Sequence, residues 1–168
     1  MKQLDPDDTE FDATFIDRSL TLSSLEAEGY RIENIIVSDD RGRKVGLQDS
    51  LFMNKLVFRL PRENCIVCID SIINQICHYS SSIEGNIILL CSFDDLHEHH
   101  VFIQDLPCMF KVFNFTTEKV MNLTLEEYET PYIFFLDSTC CMRKVYVPDK
   151  FYPQGIQMYM QIMRDIEN

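Results

Sequence analysis

Apolar residues along the chain follow two alternating spacings, one typical of helices and one typical of strands. Between residues 65 and 79 they recur with a period near 3.6, which predicts an amphipathic helix with Asn64 as its N-cap. The apolar positions of this helix are Cys65, Cys68, Ile69, Ile72, Ile73, Ile76 and Cys77. Residues 55–60 before it form a short β-rich run that ends at Pro61. Residues 86–91 after it are continuously apolar, as expected of a strand covered on both faces.

The rest of the chain continues this alternation of strands and helices. Residues 32–37 and 43–47 flank a turn cluster and predict a β-hairpin, preceded by a short helix that ends at Gly29. Further strands are predicted at residues 110–115, 131–136 and 144–147, and further helices at residues 94–106, 123–128 and 153–166. The order predicts an α/β fold with a central mixed sheet of about five strands, helices on both faces, and the hairpin at the N-terminal side.

The pattern also divides the chain into two parts. Residues 1–14 are acidic and contain few apolar positions, so we predict that residues 1–30 form an N-terminal extension that is partly flexible. Residues 31–168 are predicted to form one folded domain, because a chain of 168 residues suits a single core.

The net charge of −12 narrows the range of partners. Nucleic acids and anionic membrane surfaces attract clusters of Lys and Arg, so neither is expected as a partner. No apolar run approaches the roughly 20 residues that span a bilayer, and no apolar leader segment opens the chain. Two interpretations of the N-terminus stay open: a complete cytoplasmic protein, or a chain from which an export signal or membrane anchor has been removed.

The Cys65-x-x-Cys68 motif is the strongest candidate for chemistry. A cysteine in the first turn of a helix lies near unpaired backbone N–H groups and the positive end of the helix dipole. Both favour the thiolate, which is the nucleophile in disulfide exchange. Cys68 is one turn further along the same face, where it can attack a mixed disulfide on Cys65. Two other interpretations remain: a static disulfide or pair of packing thiols, and half of a zinc site.

Three runs of sequence together resemble the thioredoxin superfamily, and within it the TlpA-like thiol-disulfide oxidoreductases of bacterial envelopes. Residues 55–60, the Cys65/Cys68 motif and the helix after it are similar to the family's strand, dithiol and helix. Residues 129–137 are similar to its Thr-Pro before a hydrophobic strand, and residues 41–50 to its leading hairpin. The resemblance implies a thioredoxin-like three-layer sandwich over residues 31–168.

The resemblance also implies a site. Pro131 takes the place of the family's cis-proline, which faces the dithiol and leaves the backbone of Thr130 free to pair with a substrate; a simple strand-start proline is the alternative. Ile66 and Val67, between the two cysteines, are expected to form an apolar lip that contacts substrate. The family usually has an aromatic residue where Asn64 stands and a proline between the cysteines, so the redox potential is expected to differ.

The function implied by the resemblance is thiol-disulfide exchange with protein thiols and disulfides, together with a redox partner protein and without a metal or organic cofactor. The alternative is a thioredoxin-like peptide- or protein-binding module whose dithiol is structural or inactive. The resemblance implies a periplasmic or cell-envelope location, tethered only through an N-terminal segment that this chain lacks. A cytoplasmic location stays open.

Several other polar or sulfur-containing residues are expected to have mainly structural or solvent-facing roles. His97, His99 and His100 are predicted to lie on a solvated helix face rather than to bind a metal. Cys140 and Cys141 are predicted in an exposed turn, either as incidental thiols or as a second thiol site that shuttles electrons. Cys77 and Cys91 are predicted as inert core thiols. The acidic run Glu126, Glu127 and Glu129 is expected to border the dithiol and disfavour acidic partners.

Overall fold

The computed structural model describes residues 18–61, 66–79, 87–106, 110–116, 121–149 and 152–167, except for the side chains of residues 66–68, 79, 96, 166 and 167. The predictions for residues 1–17, Asn64 and Cys65 therefore fall outside the described residues, as do those for the side chains of Ile66, Val67 and Cys68.

Seven strands of the described residues form a single mixed sheet. They are β1 (Ile36–Asp39), β2 (Lys44–Gly46), β3 (Lys55–Leu60), β4 (Ile87–Cys91), β5 (Lys111–Phe115), β6 (Tyr132–Leu136) and β7 (Met142–Tyr146). Their order is β2-β1-β5-β4-β3-β6-β7, with β4 parallel to both β3 and β5 and the other pairs antiparallel. The sheet is larger than the predicted five strands because the hairpin β1–β2 joins it through β5.

Helices cover both faces of this sheet, as the alternating sequence pattern predicts. They are α1 (residues 18–27), α2 (Ile66–Tyr79), α3 (Leu96–Gln104), α4 (Thr124–Glu127) and α5 (Gln154–Glu167). One hydrophobic cluster lies between the sheet and α1 and α4, and a second lies between the sheet and α2, α3 and α5. The result is a three-layer α/β sandwich with two cores separated by the sheet.

Strand β3 shows how the sequence divides between these two cores. Leu56, Phe58 and Leu60 face α2 and are at most 3% exposed. Val57 and Arg59 alternate with them and face α4, because successive side chains of a strand point to opposite faces. The strand is buried on both sides, which explains its mostly apolar sequence and makes the buried charge of Arg59 conspicuous.

Helix α1 anchors the part of the chain predicted as an extension. Ala27, the last residue of α1, is 1% exposed and belongs to the hydrophobic cluster that also contains residues of α4. Gly29 follows with a left-handed backbone (φ +82°) and donates its N–H to the carbonyl of Met142 at 2.7 Å, so the helix ends where the sequence predicts. The boundary at residue 30 stays a prediction.

None of the described helices is long and apolar enough to cross a lipid bilayer.

Candidate functional site

The carboxyl end of β3 leads through Pro61 towards α2, whose first helical residue is Ile66. The backbones of Ile66, Val67 and Cys68 make up the first turn of this helix, directly after Cys65 in the sequence. The predicted strand and helix therefore occur in that order, with the described helix beginning one residue after its predicted start at Cys65. The backbone N–H groups of a first helical turn have no partners within the helix.

Sheet pairing brings the predicted Thr130–Pro131 segment to the same edge of the sheet. Arg59 near the carboxyl end of β3 is paired with Tyr132, the first residue of the antiparallel strand β6. Pro131 therefore lies level with Leu60, the last residue of β3. The placement of Thr130 and Pro131 beside the dithiol stays a prediction.

The peptide bond before Pro131 does not have the predicted geometry. The described residues contain no cis peptide bond, so Thr130–Pro131 is trans and the cis-proline prediction is not confirmed. The direction of the chain is changed instead at Glu129, whose backbone is left-handed (φ +49°). With the turn made there, Pro131 can enter β6 in the lower-energy trans form, as a strand-start proline.

A buried ion pair lies beneath this edge of the sheet, on the face covered by α4. The Nε and Nη2 atoms of Arg59 donate to the two carboxylate oxygens of Glu126 at 2.8 and 2.7 Å. The Arg59 side chain is 1% exposed and that of Glu126 is 7% exposed. Two parallel N–H···O bonds are the geometry that a guanidinium and a carboxylate favour. Glu126 therefore does not present its charge to a partner beside Glu127 and Glu129, because its carboxylate is buried against Arg59.

Every remaining donor of Arg59 also has a partner. Nη1 donates to the carbonyls of Leu60 and Leu90 at 2.6 and 3.1 Å, and Nη2 donates to the hydroxyl of Ser92 at 2.8 Å. The guanidinium carbon lies 4.7 Å from the ring centre of Phe115. These bonds join the carboxyl ends of β3 and β4, so Arg59 fixes the edge of the sheet from which the dithiol helix departs.

Glu126 has a second partner on the same face of the sheet, at the start of β6. The Tyr132 hydroxyl donates to its Oε1 at 2.6 Å. Burial of Tyr132, reinforced by the negative charge of Glu126, raises the pKa of this phenol well above its ordinary value, so it stays a donor. Sequence reasoning missed this cluster. The available signal was an arginine between apolar residues of a strand, although its partner is 67 residues away in the sequence.

The described cysteines fall into three classes. Cys91 is fully buried and free, and burial raises the pKa of its thiol to about 12, against a smaller opposing effect of Arg59. This confirms the prediction of an inert core thiol. Cys77 is instead disulfide-bonded, so the prediction of a free core thiol is wrong for it. Its side chain is only half-buried on α2, where a core position would be enclosed.

Cys140 and Cys141 are free and half-buried in the turn between β6 and β7. The sulfur of Cys140 lies 3.6 Å from that of Met53, just before the amino end of β3. This turn is therefore at the opposite end of β3 from the dithiol helix. Six strand residues separate the two ends by about 20 Å, which is too far for direct exchange between these thiols and the dithiol.

The histidine cluster does not lie on one solvated face. His97 and His100 are exposed, as predicted, but the ring of His99 is fully buried beside Phe93. Neither ring nitrogen of His99 has a hydrogen-bond partner in the described residues. Burial therefore lowers the pKa of His99. The neighbouring His100 lowers this pKa further, whereas Asp40 acts to raise it. Within the described part of the chain, no group of three or more His, Cys, Asp or Glu side chains is arranged to hold a metal.

Comparison with known proteins rests on the fold. No protein-family model and no curated protein sequence matches the chain. A Chlorobium tepidum protein assigned as thiol:disulfide interchange protein DsbE is similar in structure, with a TM-score of 0.59 and 11% identity over 82% of this chain and 97% of that one. Peroxidoxin BcpB from Mycobacterium tuberculosis has a TM-score of 0.56 and 10% identity over 84% and 99%.

An Aquifex aeolicus protein assigned to electron transfer gives a TM-score of 0.55 and 10% identity over 82% of this chain and 95% of that one. These solved structures are thioredoxin-fold proteins, and each is spanned almost completely by the match. Together with the strand order and the helices on both faces of the sheet, they show that this chain has the thioredoxin-like α/β fold.

Proposed function

We propose that this protein exchanges disulfides with protein partners, with Cys65 as the nucleophile and Cys68 as the resolving thiol. One observation carries the proposal: α2 begins at Ile66, so the motif spans the point where a buried strand gives way to a helix. The first turn of a helix stabilises a thiolate through its free N–H groups and dipole. α2 also has no acidic residue in its first turn that would oppose that effect.

The proposed reaction moves two electrons from the dithiol to the partner. The Cys65 thiolate attacks one sulfur of the partner's disulfide, forming a mixed disulfide and releasing the other partner sulfur as a thiolate that takes up a proton. Cys68 loses its proton and attacks the Cys65 sulfur, which releases the second partner thiol and leaves Cys65 and Cys68 joined. A dithiol redox protein then reduces this disulfide by the same steps. With an oxidising partner the whole sequence runs in reverse.

The partner's cysteine-bearing segment is proposed to contact Ile66 and Val67 on one side and Thr130 and Pro131 on the other. The pairing of β3 with β6 supports this, since Pro131 is level with the carboxyl end of β3, from which the chain leads towards α2. The envelope location implied by the resemblance remains part of this proposal.

A trapping experiment tests the proposed chemistry. In Cys68→Ser the mixed disulfide on Cys65 cannot be resolved, so we expect partner proteins to stay covalently attached in non-reducing gels and to be released by dithiothreitol. Cys65→Ser is the matched control and is expected to trap nothing. If Cys65→Ser retains its partners without a covalent bond and Cys68→Ser traps none, the chain is a binding module and the proposal is wrong.

A further inference from the structure

A groove of about 690 Å³ runs between α2 and α3, beside the dithiol helix. Its inner wall begins at Leu60 and Pro61, at the carboxyl end of β3, and includes Ser92 and Phe93 at the carboxyl end of β4. Ligands of open α/β sheets bind at the carboxyl ends of their strands. The volume is typical of a site that encloses a small ligand or a short peptide segment.

The floor of the groove is apolar. It is formed by Leu60, Ile69, Ile73, Phe93, Val101 and Phe102. Ile69 and Ile73 are less than 9% exposed and belong to the core beneath α2, which makes this floor rigid. Val101 on α3 is 44% exposed although it is a large apolar residue. The groove therefore offers apolar surface that a bound segment would cover.

The rim of the groove is acidic. Asp70 on α2, Asp94 before α3, Glu98 on α3 and Asp105 after α3 contribute four carboxyl groups. Among the described residues that line the groove there is no Lys or Arg, and His97 is the one basic side chain. An apolar floor beneath a negative rim is complementary to a segment that combines apolar and cationic side chains.

One end of the groove meets the proposed reaction centre. Ile69 and Asp70 directly follow Cys68 in α2, and Leu60 and Pro61 end the strand that precedes the motif. A partner segment bound in the groove would therefore lead, along the partner's own chain, to the partner sulfur that reacts with Cys65.

We infer that this groove selects the protein substrate: it binds a cationic and apolar segment that flanks the reacting cysteine of the partner. The inference rests on the proposed function and names its substrate class. Acidic segments and anionic small thiols such as glutathione are disfavoured by the rim, because like charges brought together at close range repel.

Two peptides that differ only in their charged residues provide the test. Each has one cysteine, as a mixed disulfide with thionitrobenzoate, between leucine and phenylalanine, and is flanked by either lysines or glutamates. We expect the reduced protein to release thionitrobenzoate from the lysine peptide about tenfold faster than from the glutamate peptide at low salt. This ratio should fall as salt is added.

Asp70→Asn/Glu98→Gln removes half of the acidic rim and should lower the ratio to about threefold. Glu26→Gln/Asp165→Asn is the matched control, since it neutralises one Glu and one Asp at exposed positions outside the groove and should leave the ratio unchanged. Equal rates for both peptides, or an equal effect of the two double variants, would overturn the inference.

A binding measurement separates the groove from the chemistry. Cys65→Ser/Cys68→Ser is titrated into fluorescent peptides that carry serine in place of cysteine, and we expect the lysine peptide to bind more tightly. If the lysine peptide binds more tightly but the native chain exchanges no disulfides, the proposed function is wrong and the groove remains a peptide site. If the native chain exchanges disulfides but neither peptide is preferred, the inference about the groove is wrong and the proposed function remains. Capture of a neutral apolar dye in place of both peptides would also overturn the inference.

Discussion

Arg59 is a charged residue buried in β3, whose other buried residues are all apolar. Removing a guanidinium from water costs several kcal/mol, and this cost is offset only when its charge and its donors all have partners. The two carboxylate oxygens of Glu126 supply the opposite charge, and three oxygen atoms of Leu60, Leu90 and Ser92 accept its other hydrogens. Breaking such a pair at one end leaves the other charge buried and uncompensated.

Glu126→Gln is therefore expected to lower the free energy of unfolding by about 3–5 kcal/mol, measured by urea denaturation. Gln has nearly the same volume, so the loss reports the charge of the pair and not a cavity. Glu127→Gln changes the exposed neighbour in the same way and should cost at most about 0.5 kcal/mol.

Replacing both partners tests the same argument from the other side. Arg59→Met/Glu126→Leu removes the two charges together and should be more stable than Glu126→Gln, because no unpaired charge remains buried. If Glu126→Gln proves as stable as Glu127→Gln, the pair does not organise this edge of the sheet.

At the scale of elements, the sequence was sufficient wherever one local pattern decides the structure. The period of Ile69, Ile72, Ile73 and Ile76 defines α2, and the apolar run of β4 predicts a strand covered on both faces. These features depend on neighbours within one element, so the pattern along the chain contains the whole signal.

The features that the sequence did not predict depend on contacts between distant segments. Nothing near His99 indicates that it lies under Phe93 while His97 and His100 on the same helix are exposed. The trans bond at Pro131 follows from where the chain turns, at Glu129, and not from the Thr-Pro pair itself. Arg59 and Glu126 are 67 residues apart in the sequence, and only the packing of α4 onto β3 brings them together.

The turn between β6 and β7 is held by one carboxylate. Asp137 accepts hydrogen bonds from the backbone N–H groups of Thr139 and Cys141, from the Thr139 hydroxyl and from Nε of Arg143. Burial of the carboxyl acts to raise its pKa, but these donors outweigh it and hold the pKa well below the ordinary value of 3.8. The folded chain therefore binds this proton less tightly than the unfolded chain.

The sign of the pH dependence follows from that difference. A lowered pKa in the folded state stabilises the fold fully above the ordinary value, and the contribution is lost as the pH falls towards the lowered value. Asp137→Asn should thus be about 1 kcal/mol less stable than the native chain at about pH 6, a modest figure because the site is partly exposed. Urea unfolding at several pH values should show the gap closing below about pH 3. A gap that is constant with pH would contradict this role.

At the scale of the whole molecule, the sheet separates two groups of cysteines. The proposed dithiol lies where β3 leads into α2, whereas Cys140 and Cys141 lie beyond the other end of the same strand, beside Met53. β6 runs antiparallel to β3. Pro131, just before β6, and the β6–β7 turn, just after β6, are therefore held at opposite ends of β3. Pro131 is level with the carboxyl end of β3, which leads towards α2, whereas the vicinal cysteines lie at the amino end of β3.

This separation predicts that the vicinal thiols take no part in exchange at the dithiol. Cys140→Ser/Cys141→Ser should reduce the lysine peptide at the native rate within about twofold, because a sulfur about 20 Å away cannot resolve a mixed disulfide on Cys65. In a Cys68→Ser background, removal of Cys140 and Cys141 should leave the yield of trapped partner unchanged, since no sulfur within reach has been lost. Cys68→Ser alone supplies the reference rate for an unresolved dithiol. If Cys140→Ser/Cys141→Ser is as slow as Cys68→Ser, electrons pass between the vicinal thiols and the dithiol. Such transfer would require the β6–β7 turn to move, which the pairing of β6 with β3 and β7 opposes.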